Sequence, residues 1–222
     1  MCGRFTLRTS ASDVAKAFQL ATSPELFPRY NIAPTQRVLA ILLHDGHREG
    51  EMLHWGLIPS WAEEPSIGQR MINARAEGIA AKPAFRSAFR KSRCLIVADG
   101  FYEWKKPDEA KQPKQPYLLR MKSAQLFAFA GLAEHWRRGE LAIDSCTIIT
   151  TSPNSVAAKV HDRMPVILDP RDYDAWLNPE STPDSLLDLL RPCSSDLMEY
   201  YAVSTVVNSP RNESEDCAAP MV

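Results

Sequence analysis

Nowhere in the 222 residues does an apolar run approach the ~20 residues that a helix needs to cross a bilayer, which excludes a helical membrane protein. The opening Met1-Cys2-Gly3-Arg4-Phe5 has no basic segment followed by an apolar one, so no secretory signal is expected. Cysteine is sparse. Cys2, Cys94, Cys146, Cys193 and Cys217 are odd in number and widely spaced, which fits neither a disulfide framework nor the paired spacing of a zinc site. A reducing, cytoplasmic setting is expected, with no metal and no cofactor. A Gly-rich phosphate loop, a dinucleotide fingerprint and internal repeats are all missing. Neither sign of charge is in excess, with 26 Lys+Arg against 27 Asp+Glu.

What is present reads as an ordinary globular domain: 45% hydrophobic and 24% charged residues, which excludes disordered, collagen-like and disulfide-stapled classes. The near-neutral balance conceals a partition. Residues 1–163 carry 23 basic and 16 acidic residues, and residues 164–222 carry 3 and 11, so a basic working surface can lie beside an acidic C-terminal part. Ser12 or Asp13 is placed to cap a helix over Val14 to Leu20. Val38 to His44 and Met52 to Ile58 predict strands around Asp45-Gly46. Residues 62–82 read as irregular, and Ala84 to Lys91 as a short basic helix. Cys94 to Ala98, Tyr117 to Met121, Leu126 to Gly131, Cys146 to Thr151 and Tyr200 to Val207 predict further strands. A polar loop spans 105–116, a brief helix covers Asn154 to Val160, and residues 170–191 read as helical in two pieces. The tail from Asn208 reads as polar and loose. Many short strands without regular βαβ alternation predict an α+β fold with a mostly antiparallel, barrel-like β core and peripheral helices.

The sharpest chemical feature is Cys2. Removal of Met1 leaves an α-amine and a thiol on adjacent carbons, with ordinary pKa values of about 7.7–8.0 and about 8.5, so both are expected to be partly deprotonated near neutrality. Such a 1,2-aminothiol condenses with an aldehyde to an imine, which the thiolate closes to a five-membered thiazolidine. The alternative is a second residue that happens to be cysteine. Glu103, flanked by Tyr102 and Trp104, is either a carboxyl with a raised pKa suited to proton transfer or an outward-facing strand residue paired with Lys105. His161, beside Asp162 and Arg163, is either a proton-transfer group or a capping residue. Asn73 alone reads as a turn residue. Lys82, Arg86, Arg90, Lys91 and Arg93 form a stretch without an acid; Arg86 and Arg90 share a helix face. With Arg4 and Arg75 they can line a phosphate track, or form a merely solvated face. Trp55 is expected in the core and Trp61, after Pro59, at the surface, where it can stack on bases.

In order, Met1-Cys2-Gly3-Arg4-Phe5, Tyr30-Asn31-Ile32-Ala33-Pro34, Trp55-Gly56-Leu57-Ile58-Pro59-Ser60-Trp61, Ile72-Asn73-Ala74-Arg75-Ala76-Glu77, Ala98-Asp99-Gly100-Phe101-Tyr102-Glu103-Trp104, His161-Asp162-Arg163-Met164-Pro165-Val166-Ile167-Leu168 and Val203-Ser204 through Asn208 resemble the SRAP family of abasic-site-processing proteins. The resemblance spans nearly the whole chain, as one domain over 1–208 with a polar tail over 209–222. It implies that Cys2 crosslinks to abasic sites in single-stranded DNA, with Asn73, Glu103 and His161 as active-site residues. It implies phosphate contacts by Arg4 and Arg75, and a base wedge near Pro34 and Trp61. Weak lyase, crosslink-reversal and peptidase-type activities, a single/double-strand junction as substrate, a monomer and a nucleoid-associated cytoplasmic location follow as expectations. Ala62 departs from bacterial members that carry a second tryptophan there. The rival readings are an N-terminal-nucleophile amidohydrolase, a non-catalytic single-strand-binding module and a metal-binding structural protein.

Overall fold

A computed structural model describes residues 2–107 and 113–221. Along the chain run β1 (Phe5–Leu7), α1 (Ala11–Phe18), β2 (Arg29–Ile32), β3 (Arg37–His44), β4 (His47–Trp55), β5 (Asn73–Arg75), α2 (Arg86–Lys91), β6 (Arg93–Ala98), β7 (Gly100–Lys105), β8 (Gln115–Met121), β9 (Phe127–Arg138), β10 (Leu141–Thr151), β11 (Met164–Pro165), β12 (Ile167–Leu168), α3 (Tyr173–Leu177), α4 (Pro183–Asp188) and β13 (Met198–Ala202).

The strands form two sheets. In the larger, β10 pairs with β4, β4 with β3, β3 with β6, β6 with β9, and β9 again with β10, so five strands close into a barrel. Only β4 and β5 meet β10 in parallel; the other pairings are antiparallel. The smaller sheet has the antiparallel order β13-β8-β7-β1-β2. The barrel interior and the facing side of the smaller sheet share one core, in which Phe5 packs edge-on to Trp55 and Phe129, and Phe101 to Phe129. Closure removes the exposed edges that an open sheet would leave. The α+β, barrel-like, mostly antiparallel expectation is met.

Local chemistry explains the boundaries that differ from expectation. Helix α1 starts earlier because Ser10 caps it, its hydroxyl accepting from the Asp13 N–H at 3.2 Å. Asp45 and Gly46 both adopt left-handed φ, at +47° and +82°, the geometry of a two-residue primed turn. Pairing therefore begins at once, His44 opposite His47, and β4 starts at His47 rather than Met52. It ends at Trp55 because Gly56 turns to φ +136°, where a Cβ would lie 2.6 Å from the Gly68 carbonyl oxygen. In place of the expected helix over 154–160 there is one 3-10 turn, Ala157–Lys159. Within the irregular stretch, β5 exists only because β10 runs past the end of β4 and offers free backbone groups to Asn73, Ala74 and Arg75. Three residues are too few for a periodic signal.

The C-terminal segment corrects the expectation of a loose tail. After β13 the chain makes a 3-10 turn at Thr205–Asn208 and folds back across the outer side of the smaller sheet. Val207 and Cys217 are buried against Tyr102, Leu118 and Val203, and Pro220 forms a β-bridge with Val203. The Glu213 carboxylate accepts from the N–H groups of Tyr30 and Asn31. Part of the expected loop over 105–116 lies outside the described residues. No described helix is long and apolar enough to cross a membrane.

Candidate active site

The pairing of β1 with β7 sets Phe5 opposite Phe101 and Thr6 opposite Gly100, and the Tyr102 N–H donates to the Arg4 carbonyl at 2.9 Å. This register carries the first residues of the chain alongside Glu103. Glu103 shares a strand face with Phe101, which points into the core. Only 3% of Glu103 is accessible, so it is not an outward-facing residue paired with Lys105. Burial, the largest cause, raises its pKa from 4.5 to about 7.

Cys2 is fully buried, although it is the second residue of the chain. Burial first, and then the Glu103 charge, hold its thiol far above the ordinary value. In the folded chain that retains Met1 a thiolate at Cys2 therefore requires a neighbouring base, whereas the expectation of a partly ionised thiol concerns the chain after Met1 removal. Asn73, at the start of β5, donates from Nδ2 to the Cys2 carbonyl at 2.7 Å. Its Oδ1 is buried without a hydrogen-bond partner among the described residues, an acceptor left for a further group. Asn73 is thus no turn residue; the β10 ladder aims it at the N-terminus.

His161 follows the 3-10 turn and precedes β11, which pairs with β10 at Thr150 and Thr151. Its Nε2 lies 3.9 Å from Glu103 Oε2. Burial, the largest cause, lowers its pKa below 6.5, so the ring is neutral at pH 7. The Arg163 N–H donates to Nδ1 at 3.1 Å, which assigns the proton of the neutral ring to Nε2, on the Glu103 side. Asp162 Oδ1 also lies 3.0 Å from Nδ1, but that carboxylate is almost fully exposed and can turn to water, whereas the backbone donor is fixed. Arg163 staples this segment to the β5 loop. It makes a two-point contact with the Glu77 carboxylate, at 2.6 and 2.9 Å, and donates to the Thr150 carbonyl at 2.6 Å.

Glu103 and His161 border a cleft of about 540 Å³ lined also by Arg4, Trp104, Pro113, Lys114 and Asn208. The Arg4 guanidinium is half-buried, 5.7 Å from the Trp104 ring centre, and donates to Asn31 Oδ1 at 2.6 Å and to the Val207 carbonyl at 2.8 Å. Arg75 is exposed two residues beyond Asn73 and so projects from the same face of β5. Trp61 is 60% exposed on the turn after Pro59, and Pro34 is half-buried. Trp55 is in the core, its Nε1 donating to the Ile72 carbonyl. Ala62 is buried, and its carbonyl takes the Trp136 indole N–H at 2.8 Å.

The basic stretch divides. Arg86 and Arg90 are exposed on α2, outside the cleft lining. Arg93 is buried and donates to the carbonyls of Phe89, Trp176 and Asn178, so it is a structural tie and not part of a phosphate track. Among the described residues the one cluster with metal-ligand character is His44, Glu49 and Glu51 on the β3–β4 hairpin. The cysteines take no part in it and are all free. Sequence reasoning misses Asn31, Trp104, Asn208 and the Arg163–Glu77 staple as individual residues, although each lies in one of the segments that carry the family resemblance.

Comparison with known proteins identifies the family. The family model for SOS response associated peptidase (SRAP) matches residues 1–210. The abasic site processing protein YoqW of Bacillus subtilis is 47% identical over 221 residues, covering 97% of this chain and 98% of its own. The abasic site processing protein HMCES of Xenopus tropicalis is 30% identical over 266 residues, covering 100% of this chain and 79% of its own. A crystal structure of a protein from Bacteroides thetaiotaomicron superposes with a TM-score of 0.89 at 26% identity, over 100% of both chains. The barrel, the cleft at the chain's start and these matches together make this chain a member of the SRAP family.

Proposed function

We propose that the protein captures abasic sites in single-stranded DNA by forming a thiazolidine between the lesion aldehyde and Cys2, once Met1 has been removed. The observation that carries this reading is the seat of Cys2. The residue is fully buried, its carbonyl is held by Asn73, and a carboxyl with a pKa near 7 stands beside it. A site that only bound DNA would have no use for a shielded N-terminal residue next to a proton carrier.

The chemistry follows from the groups present. The Cys2 amine, in its neutral form, attacks the aldehyde carbon of the ring-opened sugar and gives a carbinolamine. Protonated Glu103 delivers a proton to the hydroxyl, with the Nε2–H of neutral His161 as a hydrogen-bond donor beside it, and water leaves to give the imine. The Cys2 thiol then attacks the imine carbon. Its proton passes to the Glu103 carboxylate as the carbon–sulfur bond forms and the imine nitrogen becomes the ring amine. The balance is amine plus thiol plus aldehyde giving thiazolidine plus water. A carboxyl with a pKa near the working pH can serve both as the acid of the first half and as the base of the second. The orphan Oδ1 of Asn73 is available to accept from the amine or from a sugar hydroxyl. Before the thiol closes the ring, the imine can lose the 3′ phosphate by β-elimination, which predicts weak lyase activity; Glu103 returning its proton to sulfur predicts slow reversal. Arg4 and Arg75 take the flanking phosphates, Trp61 and Pro34 separate neighbouring bases, and Arg86 and Arg90 extend the basic surface.

The test is intact-mass measurement after mixing the protein with a single-stranded oligonucleotide that carries one abasic site. A heat-stable adduct of protein plus DNA minus water, formed without reductant and absent with a tetrahydrofuran analogue, is expected. Absence of the adduct from protein shown to lack Met1 overturns the reading and favours glutamine hydrolysis or plain DNA binding.

A further inference from the structure

Two segments, Tyr30 to Pro34 and Val203 to Asn208, have no part in this chemistry, yet the structure joins them behind Arg4. Asn31 is fully buried. Its Oδ1 accepts from Arg4 Nη1, and its Nδ2 donates to the carbonyls of Ser209, at 2.9 Å, and Asn212, at 2.7 Å. Its backbone N–H is held by Glu213. From the other side, Arg4 lies over Trp104, whose indole N–H donates to Asn208 Oδ1 at 2.7 Å. The C-terminal segment thus touches Arg4 directly through the Val207 carbonyl and indirectly through Asn31 and Trp104.

A guanidinium held at this many points has few conformations left. Its Nε is nonetheless buried and has no hydrogen-bond partner among the described residues. An unpaired buried donor on a cation bordering an open cleft is costly unless an anion completes it. Burial, the largest cause, lowers the Arg4 pKa.

We propose that residues 207–213 form a clasp that holds Arg4 in a pose ready for a DNA phosphate, with Asn31 and Asn208 as its positioning residues. The proposal rests on the reading of the cleft as a DNA site. It makes the C-terminal segment a device that preorganises a cation through carbonyl and amide contacts, so that little side-chain entropy is lost when the phosphate arrives. The competing explanation is that the segment only covers the smaller sheet, in which case Asn208 and Arg4 act independently.

A double-mutant cycle separates the two. The Met1-processed chain is titrated with a single-stranded oligonucleotide carrying a tetrahydrofuran abasic analogue, which binds without covalent capture, and anisotropy gives Kd at several salt concentrations. Arg4→Ala is expected to weaken binding about tenfold, as for loss of one charge-assisted contact. It should also reduce the slope of log Kd on log salt by about 0.7, as for one single-strand phosphate. Asn208→Ala, at an exposed position, is expected to weaken binding about threefold. In the Arg4→Ala background it should change neither Kd nor the slope. Asn31→Ala is expected to behave likewise if its melting curve shows a folded chain; Asn208→Ala carries the test if it does not. Multiplicative losses in the double variant, or parental affinity for Asn208→Ala beside a weakened Arg4→Ala, overturn the clasp while leaving the capture reading intact. Parental affinity for Arg4→Ala overturns the clasp and the phosphate assignment together. Failure of the capture test is a separate result, read on the aldehyde-bearing oligonucleotide.

Discussion

Replacing Glu103 by glutamine should make the protein more stable, and the gain should depend on pH in a defined direction. The carboxyl ionises at 4.5 when exposed and at about 7 in the folded chain, mainly because it is buried. Between those values the folded chain keeps a proton that the unfolded chain releases. The native state therefore binds more protons, and stability falls as pH rises through this window. The full gap corresponds to about 3 kcal/mol. Working from the two pKa values, about 1 kcal/mol of the penalty is already present at pH 5 and about 3 kcal/mol at pH 8. Glutamine has similar shape and no ionisation. The advantage of Glu103→Gln over the parent should thus grow by about 2 kcal/mol between pH 5 and pH 8. Urea unfolding of both proteins at four pH values measures this, and taking the difference cancels the other titrating groups. Parallel stability curves, within about 0.5 kcal/mol, would show that Glu103 is not held in an apolar place and would remove the basis for its double role. The same variant should lose the inflection near pH 7 in the single-turnover capture rate, so the stabilised protein is the slower one.

Further outcomes can be checked with simple measurements. Cys2→Ser should give no heat-stable adduct, yet should yield a borohydride-trapped one, because the amine remains and the thiol is gone. A chain in which Met1 removal is blocked should give neither, as seen by denaturing gel. Trp61→Ala should weaken noncovalent binding of the tetrahydrofuran oligonucleotide by about 1–2 kcal/mol, the value of one stacked base, without altering the melting temperature. Gly56→Ala should destabilise by more than about 2 kcal/mol in urea, because φ is +136° and the added carbon meets the Gly68 carbonyl oxygen. Arg93→Met should cost about 3 kcal/mol, as three carbonyls lose a buried cation.

Much of the fold is legible in the sequence because its signals are local. The Asp45-Gly46 turn, the apolar runs of β6 and β10 and the break at Gly100 are each written within a few adjacent residues. What escapes is set by distant partners. Three residues make a strand at 73–75 only because β10 passes beside them, and no window around Asn73 contains that information. The C-terminal residues look polar and loose because the donors that meet them lie some 180 positions away: the Glu213 carboxylate accepts from the Asn31 N–H and the Asn212 carbonyl from the Asn31 side-chain amide. Glu103 reads as poised between two fates, and its neighbour on the same face, Phe101, marks the buried one. Arg93 looks like part of a basic surface because charge is visible in sequence and the three carbonyls that receive it are not. The individual site residues are placed by resemblance to a family, while the geometry that relates them comes from the closure of the barrel.

That closure has a bearing on how the protein comes into being. On the capture reading proposed above the nucleophile belongs to the second residue made, but the barrel against which it is buried cannot shut until β10 has been synthesised and has met β4 across some ninety residues of chain. Until then the young N-terminus is an ordinary exposed aminothiol, open to any stray carbonyl in its surroundings. A ribosome-bound chain stopped before residue 141 should therefore react with a small soluble aldehyde but not selectively with a DNA lesion. The completed chain should reverse that preference. On that reading selectivity for the lesion arrives late in synthesis, at the moment of topological closure, and the interval before it is the period in which the reactive N-terminus is least protected.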